Sequence, residues 1–386
     1  MTPSEDERFD RLRRIQWWDQ NRLRKTRALV IGAGALGNEI LKNLALLGVG
    51  AILIADLDTV EMSNLSRSVL FQPSDCGRPK AQAAAESLRR IYDGVRCHWF
   101  HGDIVHKLGL GVYRWADVVI AGLDNREARL HVNRCCWRVN RPWVDGATEE
   151  LQGVARVFVP PGGACYECTM TAADWKALQE RRGCAGMRSE VLPEERVPTT
   201  PTTASIVAAL EVQEAVKLLH GLPTLAGSGV IFNGIANDFY TVRYNRGEEC
   251  NSHETLDEIV ELPRSGEEMS CGELLDAARA RLGPETVLEF HRDLLLRLEC
   301  PDCGAGEDVF RPRAAVNESA ARCPGCGTMR RAETVHTAEG GEPWLGRSLR
   351  KLGLPAFEIV TARCGFNLIG FELTADRKAV LGPLAE

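Results

Sequence analysis

Arg27-Ala-Leu-Val-Ile-Gly-Ala-Gly-Ala-Leu-Gly37 joins a short apolar run to a glycine turn of the form G-x-G-x-x-G. The apolar run predicts a buried β-strand, and apolar residues at helical spacing after the turn predict a helix. Gly32, Gly34 and Gly37 leave room for a phosphate to approach the backbone, and a helix N-terminus favours negative charge. The sequence therefore predicts a strand, a nucleotide-binding turn and a helix in succession.

A second apolar run, Ala51-Ile-Leu-Ile-Ala-Asp56, predicts another strand that ends in an acid. Together these elements form a dinucleotide-type βαβ unit, in which Asp56 would hydrogen-bond a ribose. The predicted fold class is therefore α/β, with a Rossmann-like, doubly wound sheet. Taken alone, the glycine turn favours an NAD-dependent dehydrogenase over other proteins that bind nucleotides.

The residues that follow Asp56 favour a different function. The segment Asp56-Leu-Asp-Thr-Val-Glu-Met-Ser-Asn64-Leu-Ser-Arg67, followed by Lys80, resembles the signature of the ubiquitin-activating superfamily. This superfamily includes bacterial adenylyltransferases of molybdopterin and thiamine biosynthesis and the eukaryotic activators of ubiquitin-like proteins. The resemblance spans about 240 residues and implies an adenylation domain over residues 1–253. Such a domain uses ATP to adenylate the C-terminal glycine of a small β-grasp, ubiquitin-like protein and releases pyrophosphate.

This chemistry explains two cations near the predicted nucleotide site. Attack of a carboxylate on the α-phosphate builds negative charge on phosphate oxygens. Arg67 and Lys80 would place positive charge there, and Asn64 would add a neutral donor. A nicotinamide enzyme has no need of these two cations. The alternative is that Arg67 and Lys80 are solvated surface charges.

A further apolar run leads to Asp124, in the sequence Asp117-Val-Val-Ile-Ala-Gly-Leu-Asp124-Asn125. The resemblance implies that Asp124 helps to hold Mg²⁺ on the ATP phosphates. The alternative is that Asp124 caps a helix that begins near Arg126.

The N-terminal segment contains several arginines ahead of the first strand. In the resembling superfamily an arginine in this context reaches into the ATP site of a partner subunit, so the resemblance implies a homodimer with Arg11 in that role. The alternative is that Arg11 and its neighbouring arginines form the polar face of a helix.

Two cysteine-containing pairs suggest a first metal site. Cys165 and Cys168 form a C-x-x-C pair, and Cys250 precedes His253 by the same spacing some eighty residues later. The resemblance implies that such pairs share one structural Zn²⁺, and tetrahedral zinc accepts histidine as a fourth ligand. The alternative is that His253 is a surface histidine and the fourth ligand lies elsewhere.

A long polar stretch, residues 179–203, contains Cys184 and a Pro-Thr-Thr-Pro sequence. The resemblance identifies it as the crossover loop, where activators that form a thioester carry their nucleophilic cysteine. Nearby arginines would lower the pKa of the Cys184 thiol and favour the thiolate. The alternatives are an incidental thiol, or an enzyme that stops at the adenylate.

The C-terminal region, residues 254–386, is predicted to be a small α+β domain that contains a zinc ribbon over residues 300–326. Its pattern is C-x₂-C-x₁₉-C-x₂-C, and each pair is followed by a glycine. The predicted ligands of this second structural Zn²⁺ are Cys300, Cys303, Cys323 and Cys326. Few aromatic residues interleave its basic residues, so we expect a protein-docking module rather than a nucleic-acid binder.

Composition limits the remaining function classes. The net charge of −6 argues against nonspecific nucleic-acid binding. No apolar stretch is long enough for a membrane span, and none resembles a secretory signal. In a chain that is not exported, C-x-x-C pairs favour metal binding over disulfides. We therefore expect a cytoplasmic protein. The remaining six cysteines are predicted to fill the core: Cys76, Cys97, Cys135, Cys136, Cys271 and Cys364.

The sequence thus predicts an ATP-dependent, ubiquitin-like-protein-activating enzyme that passes its acyl group to Cys184 and then to a conjugating partner. Two alternatives remain open. The first is an adenylyltransferase for a sulfur-carrier protein without a thioester of its own. The second is a catalytically silent partner in an activating complex, although such a protein has no need of Arg67, Lys80 and Asp124.

Overall fold

The structure, a computed structural model, describes residues 5–180, Met187 and residues 197–386. It contains two sheets, and the Rossmann-like class predicted for the first two thirds of the chain is confirmed by the parallel strands around the glycine turn. A smaller α+β region with a cysteine ribbon follows, as predicted. Among the described residues, no helix has the length and apolar character needed to cross a membrane.

The first sheet has eight strands in the order β3-β2-β1-β4-β5-β6-β7-β8. Its strands are β1 (Arg27–Ile31), β2 (Ala51–Asp56), β3 (Arg96–His101), β4 (Val118–Ala121), β5 (Trp143–Glu149), β6 (Gln152–Phe158), β7 (Ser228–Asn233) and β8 (Asp238–Arg243). β1 to β5 are parallel, and β5 to β8 pair antiparallel. The three central strands β1, β2 and β4 are almost wholly apolar because both of their faces pack in apolar clusters.

The second sheet has the order β11-β10-β13-β14-β9, and β12 pairs with β10. Its strands are β9 (Glu258–Leu262), β10 (Val287–Glu299), β11 (Gly306–Pro312), β12 (Arg331–Ala338), β13 (Ile359–Cys364) and β14 (Asn367–Leu373). β9 joins β14 in parallel, and the other pairs are antiparallel. The long β10 is therefore shared between the ribbon strands and the rest of the sheet.

Twelve α-helices are found in the described ranges. They are α1 (Glu5–Arg8), α2 (Asp10–Arg13), α3 (Gln20–Lys25), α4 (Ala35–Leu46), α5 (Lys80–Ile91), α6 (Ile104–Lys107), α7 (Leu110–Trp115), α8 (Arg126–Arg138), α9 (Ala172–Glu180), α10 (Pro201–His220), α11 (Cys271–Leu282) and α12 (Arg377–Leu381). The longest, α10, begins where the Thr200 side chain accepts a hydrogen bond from the Thr203 amide and ends at Gly221, which has φ of 70°.

The two sheet regions share buried side chains. Phe357, Ile359 and Leu381 from the C-terminal part pack in one apolar cluster with Leu29 and Leu53 of the first sheet. The amide of Gly111 also donates to the Phe357 carbonyl over 3.0 Å. A boundary after residue 253 stays a prediction, because the chain on either side of it contributes to one core.

Candidate active site and cysteine clusters

The first sheet brings the predicted nucleotide residues to one edge. β1 lies between β2 and β4, and the three strands are parallel, so their carboxyl ends meet on the same side. The glycine turn follows β1, Asp56 ends β2, and Asp124 lies just beyond β4. Open α/β sheets bind ligands in this crevice, where neighbouring strands connect in opposite directions. We call these residues, with Lys80 beside Asp56, the nucleotide edge; the role of Arg67 there stays a prediction.

The glycine turn is tightly folded but leaves open space in front of α4. Gly32 has φ of +91°, and a Cβ there would lie 2.4 Å from the Gly122 carbonyl oxygen. A Cβ on Gly37 would lie 1.9 Å from the Gly32 oxygen, so neither position tolerates a side chain. Gly34, the N-cap of α4, has nothing within 4 Å of its Cβ position. An anion could therefore approach this helix N-terminus closely.

Asp56 stabilises the glycine turn and the end of β2 through hydrogen bonds. Its two carboxylate oxygens accept hydrogen bonds from the Ala33 amide at 2.6 Å and the Asp58 amide at 2.7 Å. Burial raises the pKa of the Asp56 carboxyl, although the nearby Lys80 ammonium acts to lower it. A role toward a ribose stays a prediction for this residue.

The two predicted cations lie in different surroundings. The Lys80 ammonium forms an ion pair with Asp58 at 2.8 Å, and only 12% of the Lys80 side chain is exposed. Lys80 is therefore not a solvated surface charge. Arg67 is half-buried, and its Nη1 donates to the Ser63 carbonyl oxygen over 2.6 Å. Asn64 is buried, and its Oδ1 accepts from the Glu61 amide over 2.9 Å.

Asp124 is exposed at the nucleotide edge. Its Oδ1 accepts a 3.2 Å hydrogen bond from the Asn125 side chain. The helix that follows is capped by Asn125, whose Oδ1 accepts from the Ala128 amide over 2.8 Å. The alternative in which Asp124 caps this helix is therefore wrong, and its carboxylate faces outward.

A buried arginine lies directly behind Asp124. Arg129 Nη2 donates to the carbonyl oxygens of Leu123 and Gly146, and its Nε donates to Asp145 over 2.8 Å. The other Asp145 oxygen accepts from Arg156 Nε over 2.9 Å. Arg129 therefore ties the loop that carries Asp124 to β5.

Arg11 lies in the one-turn helix α2, and both its role toward a partner subunit and the alternative of a polar helix face stay predictions. Its side chain is exposed and forms no hydrogen bond or ion pair with any residue in the described ranges. The neighbouring Arg8 is instead bound within the same chain, where it donates to the Ile91 carbonyl and lies over the Tyr92 ring. Arg11 is thus free to contact another molecule.

The first predicted metal ligands come together from distant parts of the chain. The Sγ of Cys165 lies 3.6 Å from that of Cys168 and 3.5 Å from that of Cys250, and Cys168 Sγ lies 3.3 Å from His253 Nε2. All four ligand atoms lie within 4.8 Å of one another. Zinc–sulfur bonds of about 2.3 Å in a tetrahedron place sulfurs about 3.8 Å apart, so this set fits structural zinc. We call it the core cluster.

The four ribbon cysteines also converge. Cys300 and Cys326 have sulfurs 3.4 Å apart, and those of Cys303 and Cys323 are 3.6 Å apart. These separations exclude disulfides. Backbone amides lower the pKa of the Cys323 thiol to about 6, whereas hydrogen bonds with the neighbouring cysteines raise the pKa of the Cys303 thiol to about 12. The donor set fits a second structural zinc, and we call it the ribbon site.

With this geometry established, the comparisons with known proteins decide the family. The sequence profile of the ThiF family matches residues 8–252, which is more than half of the chain. The chain belongs to the ThiF family. This membership confirms the resemblance to ubiquitin-activating-type adenylyltransferases.

Named relatives of this ThiF-family chain include activators and adenylyltransferases. The NEDD8-activating enzyme E1 catalytic subunit of Schizosaccharomyces pombe is 38% identical over 150 residues, covering 38% of this chain and 34% of the relative. The mouse adenylyltransferase and sulfurtransferase MOCS3 is 32% identical over 228 residues, covering 59% of this chain and 47% of the relative. The chain therefore spans about a third to a half of the length of these relatives.

The crystal structure of E. coli MccB with ATP has a TM-score of 0.54 to this ThiF-family chain at 19% identity. The match covers 66% of this chain and 75% of the MccB chain. At this identity the likeness shows a shared fold.

Other residues in this ThiF-family chain were missed or misjudged from sequence. Asp58, the ion-pair partner of Lys80, could have been found from its position inside the quoted motif. Cys76 is exposed, so the prediction that it fills the core is wrong; four of the other five predicted core cysteines are buried and Cys364 is half-buried. Cys184 and its neighbouring arginines lie outside the described residues, so its predicted role stays a prediction.

Proposed function

We propose that the chain uses ATP to adenylate the C-terminal carboxylate of a small ubiquitin-like, β-grasp protein. The observation that carries this proposal is the nucleotide edge itself. An open helix N-terminus at Gly34, Asp58 with its ion-pair partner Lys80 of α5, and the outward-facing Asp124 lie beyond the carboxyl ends of adjacent parallel strands. The relatives named as activating enzymes and adenylyltransferases support the same chemistry.

In the proposed reaction, a carboxylate oxygen of the substrate attacks the α-phosphorus of ATP. The bond between that phosphorus and the bridging oxygen of the β-phosphate breaks, and pyrophosphate leaves. Arg67 and Lys80 stabilise the charge that develops on the phosphate oxygens. The Lys80 ammonium, now on Asp58, moves to phosphate when the nucleotide binds. Asp124 is the proposed ligand of Mg²⁺, which would neutralise phosphate charge.

The proposed partners follow from this chemistry. Arg11 is exposed and would complete the ATP site of a second copy of the chain, which makes a homodimer the proposed assembly. After adenylation, the Cys184 thiolate would attack the acyl carbon and release AMP, giving a thioester that passes to a conjugating enzyme.

A second candidate is an adenylyltransferase for a sulfur-carrier protein that ends at the adenylate. The likeness to MOCS3, which covers more of this chain than the NEDD8-activating subunit does, favours it. A covalent adduct between the chain and its substrate that thiols cleave and that Cys184→Ala abolishes would support the thioester. If no such adduct forms while the enzyme still exchanges pyrophosphate into ATP, the sulfur-carrier function is favoured.

The test is exchange of labelled pyrophosphate into ATP, measured with a panel of β-grasp proteins ending in glycine. We expect exchange that depends on one of these proteins and falls about 100-fold or more in Lys80→Ala, Arg67→Ala and Asp124→Asn. Arg281→Ala is the matched control, because this arginine pairs with Glu258 on the surface of the second sheet region. Undiminished exchange in the three variants would refute the site. ATP binding without exchange for any panel member would favour a silent partner.

A further inference from the structure

A cleft with a volume of about 490 Å³ lies between α8 and the second sheet. One wall is a single face of α8, and the opposite wall is formed by part of β10 and by the residues that follow β11. Of the described residues that line it, none belongs to the nucleotide edge. Ligand pockets commonly have volumes of about 300–1,000 Å³ and occur where two packed regions meet. This space, which we call the α8 cleft, is therefore large enough for a small organic molecule.

The wall formed by β10 results from a bulge in that strand. β10 pairs with β12 at Glu289 and next at Leu294. The four residues between them, 290–293, lie opposite a single residue of β12. Such bulges bend a strand and redirect its side chains, and they are frequent beside active sites. All four bulge residues line the α8 cleft, so the departure from regular pairing supplies one wall of it.

Charged side chains of both signs line the α8 cleft. They are four arginines and three acids: Arg134, Arg138, Arg292, Arg313, Glu127, Glu254 and Asp293. The side chains of Arg138 and Arg292 are only 21% and 11% exposed, and Arg292 pairs with the buried Glu358. Glu254 and Asp293 are 36% and 54% exposed, so solvent screens their charge more strongly.

Two histidines that line the cleft report the sign of the field inside it. Burial lowers the pKa of His131 well below its ordinary value, and the charges of Arg292 and Arg134 act in the same direction. Burial also lowers the pKa of His291 to about 3, and Arg138 and Arg292 again add to the effect. At both rings the arginines therefore outweigh the carboxylates, which favours an anionic ligand.

We propose that the α8 cleft binds a small organic phosphate, with its phosphate on Arg134 and Arg138 and its organic part against Leu130 and Phe290. Leu130, Arg134 and Arg138 follow one another at intervals of four on α8, so they share one face of the helix. Guanidinium groups donate charge-assisted hydrogen bonds to phosphate. The phosphate replaces Glu254, which lies 2.8 Å from Arg138 and keeps Arg363 as its second partner.

The experiment is isothermal titration calorimetry of the full chain with phenyl phosphate. Benzoate and inorganic phosphate are the comparison ligands, because the first lacks the phosphate and the second lacks the organic part. We expect one site per chain that binds phenyl phosphate at least about 10-fold more tightly than either of them. The same titration of Lys80→Ala separates the cleft from the nucleotide edge, and we expect its affinity for phenyl phosphate to equal that of the wild-type chain.

Three variants test the cleft itself. Arg138→Gln removes a proposed phosphate contact, and we expect it to weaken binding about 10-fold. Asp293→Asn removes a negative charge from the cleft, so we expect tighter binding. Ala314→Phe adds bulk to the lining without changing its charge, and we expect at least about 10-fold weaker binding. Ala320→Phe is the matched control, because Ala320 is exposed and lies outside the lining.

The outcomes separate this proposal from the proposed function, on which it does not depend. Absence of saturable binding, or equal affinity for benzoate or inorganic phosphate, would overturn it. Loss of binding in Lys80→Ala would place the ligand at the nucleotide edge and would also overturn it. If Arg138→Gln loses zinc or fails to fold, Asp293→Asn and Ala314→Phe decide, and unchanged affinity in both overturns the proposal. A chain without pyrophosphate exchange would refute only the proposed function and leave these titrations standing.

Discussion

The core cluster and the ribbon site hold the same number of ligands but join different parts of the molecule. In the core cluster, Cys165 and Cys250 are 85 residues apart in sequence. The His253 ring lies 4.4 Å from the buried Trp137 ring of α8. The ribbon site takes all four ligands from one local segment in which the outermost, Cys300 and Cys326, are 26 residues apart. Two of its cysteines, Cys303 and Cys326, are exposed.

Loop length alone predicts a similar contribution to stability from the two metal sites. In the chain-entropy relation used for cross-links, closing an 85-residue loop stabilises the fold by about 4.5 kcal/mol. The same relation gives about 3.3 kcal/mol for the 20 residues between Cys303 and Cys323. A difference of about 1 kcal/mol is small, so the structures attached to each site should decide what its loss does.

Those attachments differ. α8 runs from the loop of Asp124 to the core cluster, where the Asn133 side chain accepts from the Tyr166 amide over 2.9 Å. Arg134, on the same helix, pairs with Glu167 between the first two cysteines. The core cluster is therefore continuous with the nucleotide edge through a packed helix. The ribbon site is instead joined in sequence to a separate small apolar cluster, because Leu298 and Ala321 of that cluster each precede a ribbon cysteine by two residues.

The largest expected effect is a contrast between Cys168→Ala and Cys303→Ala. Each removes one ligand, but Cys168→Ala breaks a connection between distant parts of the first sheet region. We expect it to lower the free energy of unfolding by about 4 kcal/mol, whereas Cys303→Ala changes the main transition by less than about 1 kcal/mol. Urea unfolding followed by tryptophan fluorescence would measure both, because Trp137 lies beside the core cluster.

Zinc content provides the control for that comparison. Each variant should lose about one equivalent of zinc while retaining the other. If both variants lower the main transition equally, the two sites belong to one cooperative unit and the proposed distinction between them is wrong. If neither loses zinc, the assigned ligands are wrong.

The local parts of both sites could be predicted from sequence. A glycine turn, an acid at the end of a strand and a C-x-x-C pair each lie within a few residues, so their spacing alone constrains the geometry. The pairing of Cys165 and Cys168 with Cys250 and His253 was found only through the family resemblance. Spacing along the chain could not have supplied it.

Contacts between distant segments could not be predicted in the same way. Arg129 is one of four arginines on α8, and its attachment to Asp145 depends on how α8 packs against β5. The parallel pairing of β9 with β14 joins residues more than a hundred positions apart and has no local signal. Met187 likewise lies in a polar stretch, where nothing in the sequence marks its burial in the ribbon.

A smaller effect is expected from Arg129→Lys, which tests whether α8 transmits order to the nucleotide edge. Lysine keeps the positive charge beside Asp145. It lacks the planar guanidinium that also donates hydrogen bonds to the Leu123 and Gly146 carbonyl oxygens. We expect pyrophosphate exchange to fall about 10-fold, with a higher Mg²⁺ concentration needed for half-maximal rate because the Asp124 loop is less ordered. ATP binding without Mg²⁺ should change little.

Arg134→Lys is the control for this prediction. It lies five residues further along α8, and its side chain is half exposed in its ion pair with Glu167. A shift in the Mg²⁺ requirement equal to that of Arg129→Lys would mean that α8 contributes only general stability. The link between the nucleotide edge and the core cluster would then be structural alone.

The smallest expected effect is a pH dependence that belongs to the first sheet region and to neither metal site. Glu211 of α10 is fully buried, and neither of its carboxyl oxygens has a hydrogen-bond partner among the described residues. Burial raises the pKa of Glu211 well above its ordinary value, and the nearby Asp145 carboxylate acts in the same direction. The folded chain therefore keeps this proton at pH values where the unfolded chain has lost it.

The sign of the effect follows from that proton. The stability linked to Glu211 is fully present below the ordinary carboxyl pKa and is lost as pH rises toward the folded-state pKa. Metal sites behave in the opposite way, because acid protonates their thiolates and releases zinc. Glu211→Gln removes the ionisation, so we expect the free energy of unfolding to decline less steeply between about pH 5 and pH 8. Urea midpoints across this range would measure the slope.

Glu214→Gln is the control on the same helix, because Glu214 already accepts from the Leu225 amide and pairs with Lys217. A slope unchanged by Glu211→Gln would show that this carboxyl is ionised in the folded chain, with the Arg129–Asp145–Arg156 group supplying its countercharge.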